Sequence, residues 1–329
     1  MTINTVVIGA RGYTGSELLP LLVNHPECEI VAVGSSSSAG EPVGRHVHGL
    51  AESALDFTDI RPSNIEDFPA DLYILALPNG RAARYVDAIE SSCPEAVIID
   101  LSADYRFDNE WVYGQPERFA QQLSGATRIA NPGCYATGMQ LALLPVLEDL
   151  ESVPVAFGVS GYSGAGKTPS RKNDTAALQD NLMPYSLADH VHEKEVTRHL
   201  GREVRFLPHV APFFRGISLT LSASLASDRG AAELVDGFDF FYRDHRLIHV
   251  SPEIPEVTQV QGTHQVLIGG FTHSQANPRQ VAWVCVLDNL LKGAATQAVQ
   301  NMNLAYGLDS LTGLVDTDAE EGPGGDARG

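Results

Sequence analysis

A glycine-rich turn between the first predicted strand and the first predicted helix constrains the fold of this chain more than any other feature. The residues Thr5–Ile8 form a short apolar, β-branched run, which is typical of a buried parallel strand. The turn Gly9–Gly15 follows, and the leucines within 16–24 indicate a helix that packs on a sheet. This order of strand, glycine turn and helix predicts a dinucleotide-binding α/β unit.

The alternation of strands and helices continues through the first 130 residues. Apolar runs predict further strands at 28–33, 71–77, 96–101 and 127–130, and the pattern of 81–92 indicates a helix. Alternation of this kind predicts an α/β fold whose N-terminal part is a Rossmann-like, doubly wound parallel sheet.

Beyond about residue 153 the pattern changes to long strands, predicted at 153–160, 217–226, 265–270 and 280–287. They predict a second, α+β domain built on a mixed or antiparallel sheet. The domain organisation that we expect is a cofactor-binding domain over 1–133 plus a C-terminal helix at about 290–311, a catalytic and dimerisation domain over 134–289, and an acidic flexible tail over 313–329.

The charge balance disfavours several classes of partner. With 22 Lys and Arg against 41 Asp and Glu, the 329-residue chain has a formal net charge of −19, which argues against nucleic acid and anionic membrane surfaces. An anionic ligand must then be held by local basic side chains, backbone N–H groups and helix N-termini. The four cysteines make no disulfide framework, and no apolar run is long enough to span a membrane, so we expect a reduced, cytoplasmic protein.

The glycine turn and the end of the second strand together indicate the cofactor. Where NAD sites usually place an acidic residue for the ribose 2′-hydroxyl, this chain has Gly34 followed by four serines. Hydroxyl and N–H groups beside Arg11 suit a 2′-phosphate, which favours NADP over NAD. The cofactor contacts predicted here are Gly9, Arg11, Gly12, Tyr13, Thr14, Gly15, Ser35, Ser36 and Ser37.

Four unusual segments each follow the C-terminal end of a predicted strand, at 9–15, 78–80, 102–107 and 131–134. Ligands of open α/β sheets bind at this edge. The last segment ends in Cys134, which opens a helix predicted at 135–150. A thiol at a helix N-terminus meets the positive end of the helix dipole and unpaired N–H groups. We therefore expect the pKa of Cys134 to fall and its alkylation to proceed well below about pH 8.5.

A cysteine nucleophile needs a base, and three histidines are candidates. His190 and His192 alternate with other residues in a segment predicted to be extended, which points both rings to one side. His209, between two prolines, is the next candidate. No third ligand at metal spacing accompanies the histidine pair, so no metal site is predicted.

The segment Gly161–Thr168 also matches the phosphate-binding pattern GxxxxGK[ST], which keeps a P-loop ATPase or kinase open as an alternative. Two features disfavour it: Pro169 follows at once without an apolar helical stripe, and the Walker-B-like run Val97–Asp100 would precede the loop. A catalytically silent dinucleotide-binding protein is a further alternative.

Six segments, taken together and in order, resemble the N-acetyl-γ-glutamyl-phosphate reductase family of the aspartate-semialdehyde-dehydrogenase-like group. They are Gly9–Gly15, Asn131–Gly138, Gly158–Gly166, His190–Glu193, Pro208–Phe213 and Gly293–Ala298. The resemblance extends from residue 1 to about 311. It implies an NADPH-dependent enzyme of arginine biosynthesis that reduces N-acetyl-γ-glutamyl phosphate to N-acetylglutamate semialdehyde through a cysteine thioester.

The resemblance also implies roles for single residues. Cys134 is the expected nucleophile, His192 with His190 the expected acid and base, and Arg106 a contact for phosphate or carboxylate. We further expect cofactor contacts from Pro78, Ser163, Gly164 and Asn289, and substrate contacts from Asn131, Ser160 and His209.

Some properties stay open at this stage. A reductase of aminoadipyl or aspartyl phosphate is a close alternative, and the expected assembly is a homodimer or homotetramer. The family pattern Gly-Ala-Gly-Thr-Lys-Pro-Ser becomes Gly-Ala-Gly-Lys-Thr-Pro-Ser at 164–170. This exchange creates the apparent P-loop and leaves the role of Lys167 open.

Overall fold

The computed structural model describes residues 2–314. The elements of the first part alternate as predicted. They are β1 Ile3–Ile8, α1 Tyr13–Val23, β2 Cys28–Gly34, β3 Phe57–Thr58, β4 Leu72–Leu75, α2 Ala82–Ser92, β5 Val97–Asp100, β6 Val112–Tyr113, α3 Pro116–Leu123 and β7 Arg128–Ala130. The strands form one seven-stranded sheet in the order β3-β2-β1-β4-β5-β7-β6, and every strand pair in it is parallel. The predicted doubly wound parallel sheet is therefore confirmed.

The second part of the chain forms a mixed sheet with helices. Its elements are α4 Cys134–Leu143, β8 Val155–Gly161, α5 Thr175–Leu178, β9 Met183–Pro184, α6 Val191–Leu200, β10 Arg205–Ala211, β11 Ile217–Ser224, α7 Ala231–Tyr242, β12 Ile248–Ser251, β13 Val266–His273, β14 Gln280–Leu287 and α8 Thr296–Ala305. The strand order is β12-β13-β14-β11-β8-β10-β9, with β10–β8 and β12–β13 parallel and the other pairs antiparallel. The mixed second sheet is confirmed as well.

The helix α8 returns the chain to the first sheet. Its Ala298, Val299 and Met302 are buried in one apolar cluster with Val7 and Ile99 of the parallel strands. On this packing we propose that α8 belongs to the cofactor domain. Of the predicted acidic tail, Leu314 is still packed in the same cluster, whereas 315–329 lie outside the described residues.

The helix α4 is buried on every side, which fixes its first residue, Cys134, in place. All residues from Tyr135 to Leu143 are buried, because the helix packs against the strands of the second sheet. A Cβ on Gly138 would lie 2.6 Å from a methyl group of Leu219, and the indole N–H of Trp283 donates to the carbonyl of Ala142 at 3.0 Å. A helix held this tightly is a rigid support for a reactive side chain.

Several predicted element boundaries are wrong. Helix α1 begins at Tyr13, so Gly15 lies inside it. The helix predicted at 135–150 continues after Leu143 as a 3₁₀ segment, Leu144–Asp149, that contains Pro145. The C-terminal helix predicted at about 290–311 starts with a π-turn at Leu291–Ala295. Within residues 2–314, no helix has the length and apolar character that crossing a membrane requires.

A buried ion pair anchors the π-turn. The ammonium of Lys292, which is fully buried, donates to Glu117 Oε1 at 2.6 Å and to Gln300 Oε1 at 2.7 Å. Glu117 lies on α3 and Gln300 on α8, so the lysine joins two helices to the turn. A charge buried this deeply is tolerated because the Glu117 carboxylate neutralises it and both partners accept its hydrogen bonds.

We predict that Lys292→Met destabilises the protein, because it leaves the Glu117 carboxylate buried without its cation. The free energy of unfolding, measured by urea denaturation, should fall by about 3–5 kcal/mol. The double variant Lys292→Met/Glu117→Gln removes both charges and should recover most of this loss. A single variant within about 1 kcal/mol of the wild type would contradict the account.

Candidate active site

A cavity of about 570 Å³ lies at the carboxyl edge of the first sheet and is lined from both parts of the chain. The first part supplies the glycine turn and the segments that follow the next strands, including Pro78, Arg106 and Asn131. The second part supplies Cys134, the loop after β8, the start of α6 and the π-turn. The segments at 9–15, 78–80, 102–107 and 131–134 therefore meet at the carboxyl edge of the first sheet, as the sequence predicts.

The glycine turn forms the part of the cavity that fits a dinucleotide. Gly9 has φ +84°, and a Cβ there would lie 2.4 Å from the carbonyl oxygen of Ala76. A Cβ on Gly15 would lie 2.5 Å from the backbone of Ala10. Gly12 caps α1 without a side-chain hydrogen bond, so the N–H groups of the first turn are available to a diphosphate. Five residues of the turn line the cavity: Gly9, Gly12, Tyr13, Thr14 and Gly15.

The serine loop after β2 forms a polar patch beside this turn. Arg11 Nη1 donates to Ser37 Oγ at 3.1 Å, and the hydroxyls of Ser35 and Ser37 lie 3.4 Å apart. Ser36 is exposed, and the buried hydroxyl of Ser38 has no hydrogen-bond partner among the described residues. A guanidinium beside several hydroxyls suits a phosphate at the position expected for the ribose 2′-oxygen. Arg11 and the serines lie outside the lining of the main cavity.

The loop after β8 is held against the cavity by Asn289. The Asn289 amide donates to Ser163 Oγ at 3.0 Å, and its oxygen accepts from the N–H of Gly216 at 2.7 Å. Ser163, Gly164 and Asn289 all line the cavity, as the cofactor prediction requires.

The P-loop interpretation of this segment is wrong. Gly161 ends β8, and Tyr162–Ala165 is a 3₁₀ turn. The next elements are a second short 3₁₀ turn, Arg171–Asn173, and the four-residue helix α5. A P-loop needs a helix that starts directly after its lysine and presents its N-terminus to phosphate, and this segment has none.

Two glycines make room for the side chains around Cys134. A Cβ on Gly133 would lie 2.2 Å from His192 Nε2 and 2.7 Å from Arg106 Nη1, so both side chains press against the residue before the cysteine. A Cβ on Gly293 would lie 2.7 Å from the Cβ of Cys134. Any larger residue at either position would push the cysteine or its neighbours out of place.

The expected low pKa of Cys134 is not found. Burial is the largest influence and raises the pKa of the thiol to about 11, whereas the N–H of Tyr135 and the Arg106 guanidinium act in the opposite direction. The helix N-terminus therefore acts as predicted but is outweighed by desolvation. A thiol of this kind needs a base at the moment of attack.

His192 has the properties of such a base. It lines the cavity, and burial with the nearby Arg106 and His190 holds its pKa well below the ordinary value. The imidazole is therefore neutral at pH 7 and has a free lone pair. Its Nδ1 is buried without a hydrogen-bond partner among the described residues.

Glu195, which the sequence analysis missed, organises this end of the cavity. Its carboxylate is fully buried and accepts from the N–H of Gly133 at 2.9 Å, the hydroxyl of Tyr113 at 2.7 Å and Arg106 Nη1 at 3.2 Å. Arg106 also donates to the carbonyls of Leu101 and Asn131. The available signal was its spacing of three residues from His192, which puts both on one side of a helix. That signal was lost because the segment was predicted to be extended.

Three further predicted site residues are absent from the cavity lining. His190 caps α6, accepting from the N–H of His192 at 3.1 Å, and is absent from the cavity lining. Ser160 is 2% exposed and donates to the carbonyl of Gly161. His209 lies on the outer side of the second sheet, 4.4 Å between ring centres from Phe157. His209 pairs with Val159 on the face of the sheet opposite α4, so its expected contact with a ligand in this cavity is not supported. Ser160 points to the inner face with Ala156 and Gly158, and a Cβ on Gly164, which lines the cavity, would lie 2.9 Å from its Oγ. The substrate contact of Ser160 stays a prediction.

Family models match most of the chain. Residues 4–126 match the model of the semialdehyde dehydrogenase NAD binding domain, and residues 134–289 match that of the semialdehyde dehydrogenase dimerisation domain. Fold and site thus define a dinucleotide-dependent semialdehyde dehydrogenase. This confirms the predicted cofactor class and the predicted enzyme class.

Curated relatives define the family more narrowly. The chain is 49% identical to an N-acetyl-gamma-glutamyl-phosphate reductase of Xanthomonas campestris pv. campestris (strain B100), over 94% of this chain and 97% of the relative. It is 50% identical to the protein of the same name from Xylella fastidiosa (strain 9a5c), over 94% and 92%. The chain belongs to the N-acetyl-gamma-glutamyl-phosphate reductase family, as the sequence motifs indicate.

Solved structures share the fold at low sequence identity. Aspartate semialdehyde dehydrogenase II of Vibrio cholerae superimposes with a TM-score of 0.76 at 18% identity, covering 92% of this chain and 98% of that one. The aspartate semialdehyde dehydrogenase of Candida albicans gives a TM-score of 0.70 at 16% identity, covering 92% and 99%. At this identity the likeness establishes the architecture alone.

We predict that acid destabilises the protein through its buried histidines. Burial lowers the pKa of five of them, to about 4 for His190: His25, His190, His192, His199 and His264. In the unfolded chain they return to about 6.5, so the unfolded state binds more protons below that pH. The unfolding free energy should therefore be highest above pH 6.5 and fall towards pH 4, by up to about 1.4 kcal/mol per pH unit for each histidine.

The measurement is urea denaturation between pH 7 and pH 5. His190→Asn keeps an acceptor for capping α6 and should reduce the pH dependence by up to one proton. His273→Asn, at an exposed position, is the matched control and should leave it unchanged. Stability that rises on acidification would contradict the assignment of neutral, buried rings.

Proposed function

We propose that this protein reduces N-acetyl-γ-glutamyl phosphate to N-acetylglutamate semialdehyde, with release of phosphate, in the cytoplasm as a step of arginine biosynthesis. The reductant is NADPH. The substrate is assigned from the name that the relatives carry. These relatives share about half of their residues with this chain over nearly its whole length. The observation that carries the proposal is that one cavity holds both a dinucleotide-type glycine turn and a cysteine at a helix N-terminus.

Cys134 is the nucleophile in the first step. Its sulfur attacks the carbonyl carbon of the acyl phosphate, and neutral His192 takes the thiol proton as the carbon–sulfur bond forms. Phosphate leaves with the electron pair of the carbon–oxygen bond, which produces a thioester on Cys134. The high pKa of the resting thiol makes this base necessary, and a neutral imidazole can fill the role at pH 7.

The N-terminus of α4 supports the charge that develops on the carbonyl oxygen. Gly133 caps the helix without a side-chain hydrogen bond, so the first-turn N–H groups can donate to an oxyanion. Removal of one such donor in other enzymes costs about 3–4 kcal/mol of transition-state stabilisation. Arg106, held by Glu195, is the cation that binds the phosphate or the carboxylate of the substrate.

The second step, reduction of the thioester, uses Cys134, His192 and the N-terminus of α4 again. NADPH, when bound, supplies the hydride that reduces the thioester carbon. The protein holds the resulting tetrahedral oxygen at the start of α4 until the carbon–sulfur bond breaks. His192, protonated in the first step, then returns its proton to the departing sulfur, which frees the aldehyde and restores the thiol.

We further propose that two copies of the chain associate through the outward face of the second sheet. The outward face of this sheet carries apolar side chains on neighbouring strands, with Phe157 of β8 beside Leu207 of β10. Its apolar members are Val155, Phe157, Val159, Leu207, Ala282 and Val284. The match of this part of the chain to a dimerisation domain supports a second copy as the partner. We infer a homodimer, with a homotetramer as the larger alternative.

We predict that Cys134→Ser lowers the rate of phosphate-dependent NADP⁺ reduction with N-acetylglutamate semialdehyde by at least about 1,000-fold. The binding of NADPH, followed by fluorescence titration, should be retained because the glycine turn is untouched. Cys93→Ser, a cysteine outside the cavity lining, is the matched control and should keep its activity. Turnover retained in Cys134→Ser would rule out the nucleophile.

We predict that Phe157→Asp converts the oligomer to monomer, because it introduces a charge into the apolar outer face of the second sheet. Sedimentation velocity measures the result. Phe240→Asp removes an aromatic ring that is 68% exposed on α7, and should leave the mass unchanged. A monomeric wild type, or a Phe157→Asp variant that still associates, would contradict this interface.

A further inference from the structure

Lys167 is the part of the GxxxxGK[ST]-like segment that the proposed reaction does not use. It lies on the loop after β8 and lines the cavity. Its ammonium donates to the carbonyl oxygen of Arg11 at 2.5 Å and lies 5.0 Å from the ring centre of Tyr13. Both partners belong to the glycine turn. The lysine therefore connects the second part of the chain to the turn that opens α1.

The charges around the cavity are unevenly matched. Among the residues that line it, Arg106 and Lys167 are the cations, and no carboxylate is present in that lining. Arg106 is neutralised by the buried carboxylate of Glu195 at 3.2 Å. Within residues 2–314, no carboxylate lies at ion-pair distance from Lys167; its contacts are a carbonyl and a ring. The cavity of a chain with net charge −19 thus holds a positive charge without a protein counterion.

This ammonium is equipped to bind an anion. It carries three N–H donors, and the Arg11 carbonyl uses one of them. Burial and the neighbouring Arg11 lower the pKa of Lys167, so the protein alone disfavours the protonated, charged form of this ammonium. An anion at the first turn of α1 would relieve this cost, because it would supply the missing counter-charge.

Arg11 and Lys167 point to two different phosphate positions. The Arg11 guanidinium reaches the serine loop through Ser37, where the ribose 2′-phosphate is expected. The Lys167 ammonium instead lies at the backbone of the turn and over Tyr13, the first residue of α1. The diphosphate of a dinucleotide binds at this helix N-terminus.

We propose that Lys167 is a cofactor-binding residue that contacts the diphosphate of NADP, from a loop on the opposite part of the chain. The inference rests on the proposed function, since it assigns a further residue to the same cofactor site. It gives the exchanged Lys-Thr pair a physical role. It also separates the diphosphate contact from the 2′-phosphate contact, so that the two can be measured independently.

The test is calorimetric titration of the full-length protein with three ligands: NADP⁺, NAD⁺, which lacks the 2′-phosphate, and adenosine 2′-monophosphate, which lacks the diphosphate. Lys167→Gln should weaken the binding of NADP⁺ and NAD⁺ by the same factor, on the order of ten-fold. The binding of adenosine 2′-monophosphate should stay unchanged, which also shows that the variant is folded. Lys167→Arg keeps the charge and should stay within about three-fold of the wild type.

Arg171→Gln is the matched control, because it removes an exposed cation from the same loop, outside the cavity lining. It should leave all three affinities unchanged. Unchanged dinucleotide binding in Lys167→Gln would overturn the inference and leave the proposed function standing. Equal weakening of all three ligands would overturn it too, since it would indicate general support of the site. A wild type that binds neither dinucleotide would overturn the proposed function itself.

Discussion

The buried carboxylate of Glu195 is the contact on which the geometry of the site depends. It fixes the N–H of Gly133, the guanidinium of Arg106 and the hydroxyl of Tyr113 at one point. These three groups come from separate segments of the chain, and Cys134 follows directly after one of them. A fully buried carboxylate needs all of its hydrogen bonds, so its partners cannot drift without a large energetic cost. The position of the Cys134 sulfur is thus set by the hydrogen bonds of Glu195, a residue that does not itself line the cavity.

Much of the fold was predictable because its signals are local. The strand before Gly9, the glycine turn and the leucines of α1 follow one another within 20 residues, and periodicity alone identifies them. Cys134 was recognisable for a similar reason, since it follows the end of a strand and opens a helix. The family was predictable from six short segments, and the comparisons confirm it.

What the sequence did not reveal depends on contacts between distant residues. The thiol of Cys134 was expected to be acidic from its helix position, but the surrounding core raises its pKa, and that core is assembled from many elements. The position of His190 as the cap of α6 could not be predicted, because it cannot be recognised until the start of the helix is known. The alternation of side chains along β10 could be predicted, but not which face of the sheet His209 lies on, because that depends on how β10 pairs with β8. These roles for single residues remain predictions, to be tested by substitution.

A bridge between the two parts of the chain has a mechanical consequence. Arg215, just before β11, binds both oxygens of Glu17 on α1 and also the fully buried Asp288, whose other oxygen accepts from the N–H groups of Leu290 and Leu291. The helix beneath the cofactor turn and the turn beside Cys134 are therefore fastened to the same guanidinium. A hinge rotation that widened the cleft would break the ion pairs of Arg215. We therefore expect ligands to enter by movement of short loops, while the two sheets keep their spacing.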